Sequence, residues 1–474
     1  MEAYYRILNR LSPTSRLSLT SEKLTASVDL DMIIDARFRF NEDVSWYPQQ
    51  SKINPFLAFT IQAFVVDSLQ LYFEPTFSVK HGVRGNYGYG IFDTNIPLNS
   101  YHFDAAYWPM KAFASVGGSW WNFYIGRDHL SWGTAHSGGL VYSYDTHFYD
   151  FAYLSFFTPH FKYSVIVNHL PLWLGNSLFN EPPIWDTWDN NRYTMQRYFY
   201  LHRIDISIKN KFSLSLMEGV MVGNSPLELR YLNPITVFHS MYSWRDYPPW
   251  EPGKDITEAS MVGSILSLEV NWNILTSLAV YGQFMMNQFA LPHELAIHDQ
   301  GPNSFGILAG AHYSHSFNTW GSLFHLEFVY TDPYAYILSS PFSSFLYMVE
   351  IPGNYSAYLL GHSRDTILLT AGAKFFNKDN TLSFSGNLSW ITSGVHNKDR
   401  LTYDYEETPE AFNKRTPSGI AENKFILSLG ANWQPYCWLK LGANLTGIIS
   451  INNNHISGNN TAGGQVSLSA SLHY

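Results

Sequence analysis

Cysteine is nearly absent from this chain of 474 residues, and charged residues are scarce. The single Cys437 has no partner for an internal disulfide, and one thiol provides neither a zinc site nor a thiol framework. Asp, Glu, Lys and Arg make up 14% of the sequence, whereas a typical soluble domain has roughly 25%. The net charge of -9 leaves no basic excess to neutralise phosphates, which argues against nucleic acid as a partner.

Long apolar runs are missing as well. The sequence has no run of eighteen apolar residues, the length that indicates a membrane-spanning helix, and its mean hydropathy is only -0.14. Yet aromatic residues amount to 17% of the chain. A transmembrane β-barrel explains both facts, because its strands alternate lipid-facing apolar and lumen-facing polar side chains, so that hydropathy averages out.

Residues 24–40 form the clearest predicted strand, because apolar and polar side chains alternate along them. Every second residue from Leu24 to Phe40 is apolar, and the residues between are polar except for Ile33. This run exceeds the about 9–11 residues with which a tilted strand crosses a bilayer. The last strand alternates in the same way and ends on Tyr474, which resembles the C-terminal signal that the barrel-assembly machinery recognises.

The period of two, applied to the whole chain, predicts an all-β fold: one transmembrane antiparallel β-barrel of about eighteen strands. The predicted strands are 24–40, 56–67, 69–80, 99–108, 112–126, 147–157, 161–170, 196–209, 211–223, 259–273, 276–290, 304–316, 319–331, 365–377, 380–393, 421–434, 437–450 and 463–474.

Short links and long loops alternate between these strands, as they do in outer-membrane barrels. Turn-forming residues mark the short links, at Asp67-Ser68, Pro109-Met110, Thr158-Pro159, Asn210, Asn273-Ile274, Phe317-Asn318, Lys378-Asp379 and Pro435-Tyr436. The even strand count places both termini in the periplasm and nine long loops outside the cell. Residues 1–23 are then a periplasmic segment, with a short helix expected over 4–11, and residues 24–474 are a single barrel domain. The first residues lack the basic and apolar parts of an export signal, so we take the chain as a mature form.

Charged residues inside the predicted strands should face the lumen, because each would cost about 2–4 kcal/mol on the lipid side near the midplane. The lumen set comprises Asp29, Asp31, Asp35, Arg37, Arg39, Arg203, Asp205 and Lys209. Two roles are open for these charges: they pair with each other and fix the contents of the lumen, or they guide a ligand through it.

Aromatic residues are frequent in the predicted loops, and two roles are open for them too. Aromatic faces pack against sugar rings, but the interfacial girdles of a barrel use the same residue types. The candidate glycan-contacting residues are Trp173, Trp185, Trp188, Trp244 and Trp250, and we expect Tyr334 and Tyr336 to be exposed loop aromatics of the same kind.

The sequence gives little support for a metal site or an enzyme active site, and we expect no metal, cofactor or catalytic residue. His293 and His298 are five residues apart, whereas a metalloprotease helix needs histidines four apart. The glycine-rich residues 82–90 lack the Lys and the following helix of a phosphate-binding loop. No nucleophile elbow is present, although a catalytic triad assembled in space stays an alternative.

The stretch Tyr124-Ile125-Gly126-Arg127-Asp128-His129-Leu130-Ser131-Trp132-Gly133 resembles a segment of the capsule-assembly proteins of the Wzi family. Further segments fit in the same order: His202-Arg203-Ile204-Asp205, Glu218-Gly219-Val220, Leu229-Arg230-Tyr231-Leu232-Asn233-Pro234 and Leu359-Leu360-Gly361-His362. From these we take a motif or lumen network of Arg127, Asp128, Trp132, His202, Arg203, Asp205, Glu218, Tyr231, Asn233 and His362. Within it, Arg127 is expected to pair with Asp128, Asp205 or Glu218.

The resemblance implies an eighteen-stranded outer-membrane barrel with short helices filling or capping the lumen, acting as a lectin that helps to attach capsular polysaccharide. We therefore expect a non-enzymatic, monomeric protein of the bacterial outer membrane that binds or organises an extracellular polysaccharide. Its other expected partners are outer-membrane lipid, lipopolysaccharide and, during insertion, the barrel-assembly machinery. The alternative is a substrate-selective porin for small polar or saccharide solutes, because a wall of eighteen strands encloses a channel unless something fills it.

Overall fold

The structure of the chain is a computed structural model. It describes residues 17–41, 44, 46, 54–66, 68–79, 92–97, 103–104, 111–143, 148–174, 193–209, 211–223, 225–233, 261–288, 302, 304–338, 342–351, 354–397 and 416–474. The helix predicted over 4–11 lies outside these residues.

Eighteen antiparallel strands form one closed barrel, as the alternation predicts. They are β1 (Leu24–Phe40), β2 (Leu57–Val65), β3 (Leu69–Glu74), β4 (Lys111–Gly117), β5 (Trp121–Asp128), β6 (Tyr149–Phe157), β7 (Phe161–His169), β8 (Arg197–Ile208), β9 (Phe212–Gly223), β10 (Met261–Asn273), β11 (Leu278–Gln288), β12 (Ser304–Ser316), β13 (Trp320–Thr331), β14 (Thr366–Asn377), β15 (Leu382–Ser393), β16 (Glu422–Tyr436), β17 (Leu439–Ile451) and β18 (Thr461–His473). Each strand pairs with the next along the chain, and the pairing of Ile34 on β1 with Ala470 on β18 closes the sheet.

Short strands accompany the wall without adding to its count. Leu17–Thr20 folds back on the start of β1, Thr76–Val79 continues β3 beyond Pro75, and Phe92–Thr94 pairs with the far end of β1. Two separate hairpins lie in the long connections: Leu172–Leu174 with Tyr193–Met195, and Leu346–Ile351 with Asn354–Leu359.

The predicted total of eighteen is right, but one strand was misplaced. The predicted strand 112–126 is wrong, because residues 111–128 form the two strands β4 and β5 around a turn at 118–120, where Gly118 N donates to Trp121 O at 2.9 Å. Alternation continues on both sides of that turn, so the period alone does not show the reversal. Of the predicted strand 99–108, the structure describes only Phe103–Asp104, which pairs with Thr76–Val79. The link predicted at Pro109-Met110 lies outside the described residues.

The outward face of the barrel is apolar and exposed. On β16, Phe425, Leu427, Leu429 and Trp433 point outward and are 42%, 49%, 46% and 52% exposed, whereas the adjacent inward residue Ile426 is buried. Aromatic residues at the two ends of this row enclose the leucines, which is the pattern of interfacial girdles around a hydrocarbon belt. The surface is therefore that of an outer-membrane-type barrel. No helix in the described ranges is long and apolar enough to cross a membrane.

A charge in this belt should be far more costly than a charge on the inner wall. We expect Leu427→Arg to lower the free energy of unfolding in lipid vesicles by about 2–4 kcal/mol, because the guanidinium would enter hydrocarbon. Asn432→Arg on the same strand serves as the control, since Asn432 faces the lumen and is exposed there. Urea unfolding measures both, and equal costs would contradict the assignment of the two faces.

Two segments, both largely without regular secondary structure, occupy the interior, and we call them together the plug. The first is residues 129–143, which follow β5, and the second is residues 332–338 and 342–347, which follow β13. Leu140, Tyr142, Tyr336 and Phe345 are completely buried there. The expected lumen-filling helices are not seen, since both segments lack helix; the described chain has only the single-turn 3-10 helices Leu229–Leu232, Val395–Asn397 and Asn453–His455.

Candidate functional site

The first plug segment crosses the lumen from β5 to the opposite wall. Its turn of Leu140, Val141 and Tyr142 is buried, and Leu140 N donates to Gln283 Oε1 of β11 at 2.6 Å. Thr134 Oγ1 reaches Asn271 Oδ1 of β10 at 2.7 Å, two residues from the short-turn end of that strand. The segment thus extends through much of the depth of the barrel.

Glu327 of β13 is the main polar contact between this segment and the wall. Its carboxylate is completely buried and accepts from the backbone N–H groups of His136 and Ser137 at 2.8 and 3.0 Å. The Ser137 hydroxyl donates to it as well, and Tyr281 Oη of β11 donates at 2.6 Å. Four donors around one carboxylate form a strong charge-assisted contact, so the wall fixes the backbone of the plug at this point.

Trp132 is held against the wall by an ionic cluster. The Arg203 guanidinium of β8 lies 5.0 Å from the ring centroid of Trp132, within range of a cation–π contact. Arg203 Nε donates to Asp205 at 2.7 Å and Nη1 to Glu269 of β10 at 3.1 Å. The lumen charges Arg203 and Asp205 therefore take part in fixing the plug.

Tyr336 joins the second plug segment to the first. Its hydroxyl donates to Leu140 O at 2.9 Å and accepts from His362 N at 3.1 Å, while its own N–H donates to Asn287 Oδ1 of β11 at 3.1 Å. Complete burial raises the pKa of Tyr336 above its ordinary range, so the hydroxyl keeps its proton and remains a donor.

Arg197 ties the second segment to the long-loop end of β8. The side chain is completely buried and donates from Nε to Leu170 O at 3.1 Å and from Nη1 to Ser344 O at 3.0 Å. Its Nη2 donates to Leu346 O. A fixed guanidinium with several donors suits such a cluster of backbone carbonyls.

Three imidazoles meet where the plug contacts β12 and β13. The ring of His136 stacks on His325 with centroids 3.8 Å apart and an interplanar angle of 22°, and His312 approaches edge-on at 4.8 Å. Burial and the two neighbouring imidazoles lower the pKa of His136 to about 4. In the described residues, no group of three or more His, Cys, Asp and Glu has a geometry that could hold a metal ion.

The structure places several motif residues on the outer face of the wall instead of in the lumen. Arg127 pairs with Asp150 at 2.8 Å and not with Asp128, Asp205 or Glu218. The physical reason is parity: Arg127 points outward with Ile125, and Asp150 lies directly opposite it on β6. Asp128 faces inward, where it accepts from Tyr124 Oη at 2.9 Å and pairs with Lys111 at 3.1 Å.

His202 and Glu218 also face outward, as opposite neighbours on β8 and β9, with the same parity as the exposed Ile206. Residues 225–233 fold over this part of the wall: Tyr231 packs on Tyr200 with ring centroids 5.0 Å apart, and its carbonyl meets His202 Nε2 at 3.0 Å. Asn233 ends the short helix there, with its N–H donating to Arg230 O. Of the motif residues, Trp132, Arg203, Asp205 and His362 contact the plug or belong to it, while His202, Glu218 and Tyr231 form an external cluster.

The charges of β1 face inward, as expected from their parity, and make specific contacts. Asp31 pairs with His473, and Asp35 accepts from the side-chain Nδ2 of Asn54 at 2.9 Å and from its backbone N–H at 3.1 Å. Arg37 pairs with Asp93 at 3.9 Å, and Arg39 donates to Gln465 Oε1 at 2.9 Å. Asp29 occupies the same face of β1, opposite Thr60 of β2. Lys209 differs from the expectation: it lies in the turn after β8 with a φ of 51°, because the chain reverses there, and it is not on the lumen wall.

The structure does not describe the side chains of the tryptophans proposed to contact glycan. Trp185, Trp188, Trp244 and Trp250 are outside the described residues, and Trp173 is described only as part of a short strand. Tyr334 and Tyr336, expected to be exposed, are buried at 2% and 0% because they belong to the plug core.

The inner wall away from the plug is polar and accessible. Ser385, Asn432 and Asn444 on β15, β16 and β17 face inward in the half of the barrel near the short turns, and all three are exposed. Nearer the long loops, inward residues such as Ile391 and Ser450 are buried. The interior therefore combines a packed region with a polar vestibule on the short-turn side.

Comparison with solved structures finds structurally similar proteins. Wzi of Escherichia coli, an outer-membrane protein involved in group 1 capsule assembly and described as a carbohydrate-binding β-barrel, matches over 98% of this chain and 86% of its own, with a TM-score of 0.55 and 13% identity. Pseudomonas aeruginosa OccK8 (OprE) matches over 95% of this chain and 98% of its own, with a TM-score of 0.45 and 10% identity. OccD3 (OpdP) of the same organism matches over 95% and 91%, with a TM-score of 0.46 and 8% identity. No protein-family model matches the sequence, and no similar curated protein is found.

Proposed function

We propose that this chain is a plugged barrel of the bacterial outer membrane that binds or organises an extracellular polysaccharide without catalysing a reaction. The observation that supports this best is the plug. Leu140, Tyr142, Tyr336 and Phe345 pack inside the wall with no exposed surface. A conducting barrel needs a water-filled path, whereas a barrel with a packed interior serves as an anchor for what its loops do outside.

The barrel likeness to Wzi supports the same proposal, since that protein is described as carbohydrate-binding. In this proposal the nine long loops face the cell exterior and both termini face the periplasm. The apolar belt contacts outer-membrane lipid, and the rims contact lipopolysaccharide. The protein acts as a monomer, inserted by the barrel-assembly machinery after recognition of the final strand, β18.

Glycan binding by the intact barrel tests the proposal. We expect the purified protein to bind a capsular polysaccharide on an array of purified bacterial surface glycans. We also expect it to show no steady conductance in a planar bilayer at pH 7. Absence of binding to every polysaccharide on such an array, together with steady conductance, would overturn it.

Two loop tryptophans provide the matching variant test. We expect Trp244→Ala combined with Trp250→Ala to weaken glycan binding by about 1.4 kcal/mol or more, which is at least tenfold, if their rings stack on sugars. Trp433→Ala is the control, because Trp433 lies in the outer belt near the short turns and should leave glycan binding unchanged. Equal glycan binding by the parent, the double variant and Trp433→Ala would show that Trp244 and Trp250 do not take part in the proposed site.

A substrate-selective porin is the second candidate, and the polar vestibule favours it. Exposed inward residues such as Asn432 and Asn444 resemble the lining of a solute path. A steady conductance at pH 7 that a saccharide blocks would favour this function over the plugged barrel.

A further inference from the structure

The contact between His136 and the wall consists of imidazole rings, which makes it sensitive to acid. One imidazole belongs to the plug, and the two others, His312 and His325, project from neighbouring strands of the wall. Stacking at 3.8 Å is favourable between neutral rings. The contact becomes repulsive when His136 and a histidine of the wall both take up a second proton and become positively charged, because like charges this close interact strongly in a partly buried site.

In the part of the chain that the structure describes, few titratable groups lie around His136. They are His312 on β12, His325 and Glu327 on β13, and the Tyr281 hydroxyl on β11, which donates to Glu327 at 2.6 Å. The carboxylate of Glu327 is already surrounded by four donors, all of them provided by His136, Ser137 and Tyr281. His136 itself is only partly buried and part of it is exposed in the lumen, so protons reach it without unfolding of the barrel.

We propose that the first plug segment is an acid-released gate, in which protonation of His136 against His312 and His325 separates residues 129–143 from the wall and opens the lumen. The gate connects the two features of the interior: the packed region that closes it and the polar vestibule that continues from it. It goes beyond the proposed polysaccharide binding, which concerns the outer loops and requires only that the plug stays closed at neutral pH.

The direction of the pH effect follows from proton linkage. The docked plug lowers the pKa of His136 to about 4, whereas a released His136 titrates near its ordinary value of 6.5. The released plug therefore binds more protons between these two values, so the docked state loses stability as the pH falls from about 6.5 towards about 4. At pH 7 and above, His136 is mostly unprotonated in both states, so the gate stays closed.

Single-channel recording of the full chain in planar bilayers, stepped from pH 7 to pH 4, tests the gate. We expect no sustained openings at pH 7 and reversible openings that increase at least about tenfold in frequency below pH 5. In His136→Phe, which retains a stacking ring but cannot take a proton, this increase should disappear. A parent protein that stays silent down to pH 4, or a His136→Phe variant that opens like the parent, would overturn the proposal.

His315→Phe is the matched control, because His315 lies on β12 like His312 but points to the outer face beside Tyr313 and Phe317. It should open in acid as the parent does; a loss of acid opening in this variant would also count against a specific gate. Gel mobility of heated and unheated samples verifies that each variant is a folded barrel. Glycan binding at pH 7 is measured separately, so a failed gate and a failed polysaccharide site give different results.

Discussion

Replacing Glu327 by alanine is expected to free the first plug segment and to make a silent barrel conduct at pH 7. The substitution removes the acceptor of four hydrogen bonds and leaves the backbone N–H groups of His136 and Ser137 and the Tyr281 hydroxyl without it. Buried donors that lose their partner cost about 1–3 kcal/mol each, so with four donors we expect the docked plug to lose at least about 4 kcal/mol in total. Single-channel recording measures the opening, and urea unfolding measures the stability of the barrel.

Two further variants sharpen this test. Glu327→Gln keeps one carbonyl acceptor and the volume of the side chain, so it should open less often than Glu327→Ala. Asp379→Ala removes an exposed carboxylate from the turn after β14, far from the plug, and should behave as the parent. If Glu327→Ala stays closed at pH 7 with unchanged stability, the carboxylate does not fix the plug.

The wall of the barrel could be predicted from the sequence because its information is local. In β1 or β16, each residue's side of the sheet follows from its neighbours, and the exposed Leu427 beside the buried Ile426 shows the rule at work. The rule fails where a strand reverses without changing its pattern. Residues 111–128 alternate on both sides of the turn at 118–120, and the reversal is visible only in the structure, from the antiparallel pairing of the two strands and the hydrogen bond from Gly118 to Trp121.

The position of each motif residue along its strand also predicts which face of the sheet it occupies, more reliably than the family resemblance does. His202 has the parity of Ile204 and Ile206, which predicts an outward position, while Arg203 and Asp205 have the opposite parity. Grouping all of them into one lumen network placed residues from both faces of β8 together. The structure separates them into the ionic cluster around Trp132 and the external cluster beneath Tyr231.

The plug could not be derived from period or motif, because its contacts join distant parts of the chain. His136 and Glu327 are 191 residues apart, and no local pattern pairs them. A signal was nevertheless present: the loop stretch Tyr334 to Leu338 is apolar without alternation, which indicates burial of the whole stretch. Glu327 itself has inward parity on an alternating strand, the same rule that selected Asp29 and Asp31.

Tyr336 offers the second test with a large expected effect, because it joins the two segments of the plug. We expect Tyr336→Ala to lower the free energy of unfolding by about 3–5 kcal/mol, since it leaves a cavity among completely buried side chains. Tyr336→Phe keeps the ring but loses the hydroxyl contacts to Leu140 O and His362 N, and should cost about 1–3 kcal/mol. Urea unfolding of the barrel in lipid vesicles gives both values.

The difference between these two variants separates packing from hydrogen bonding inside the lumen. Tyr436→Ala is the control, because Tyr436 is 59% exposed near a short turn and should change stability by less than about 1 kcal/mol. Both Tyr336 variants should also conduct more often than the parent at pH 7, with alanine the stronger, since the second segment supports the first through Leu140. If Tyr336→Ala is as stable as Tyr436→Ala, the interior is not a cooperative core, and Tyr336 does not join the two plug segments in a way that stabilises the barrel.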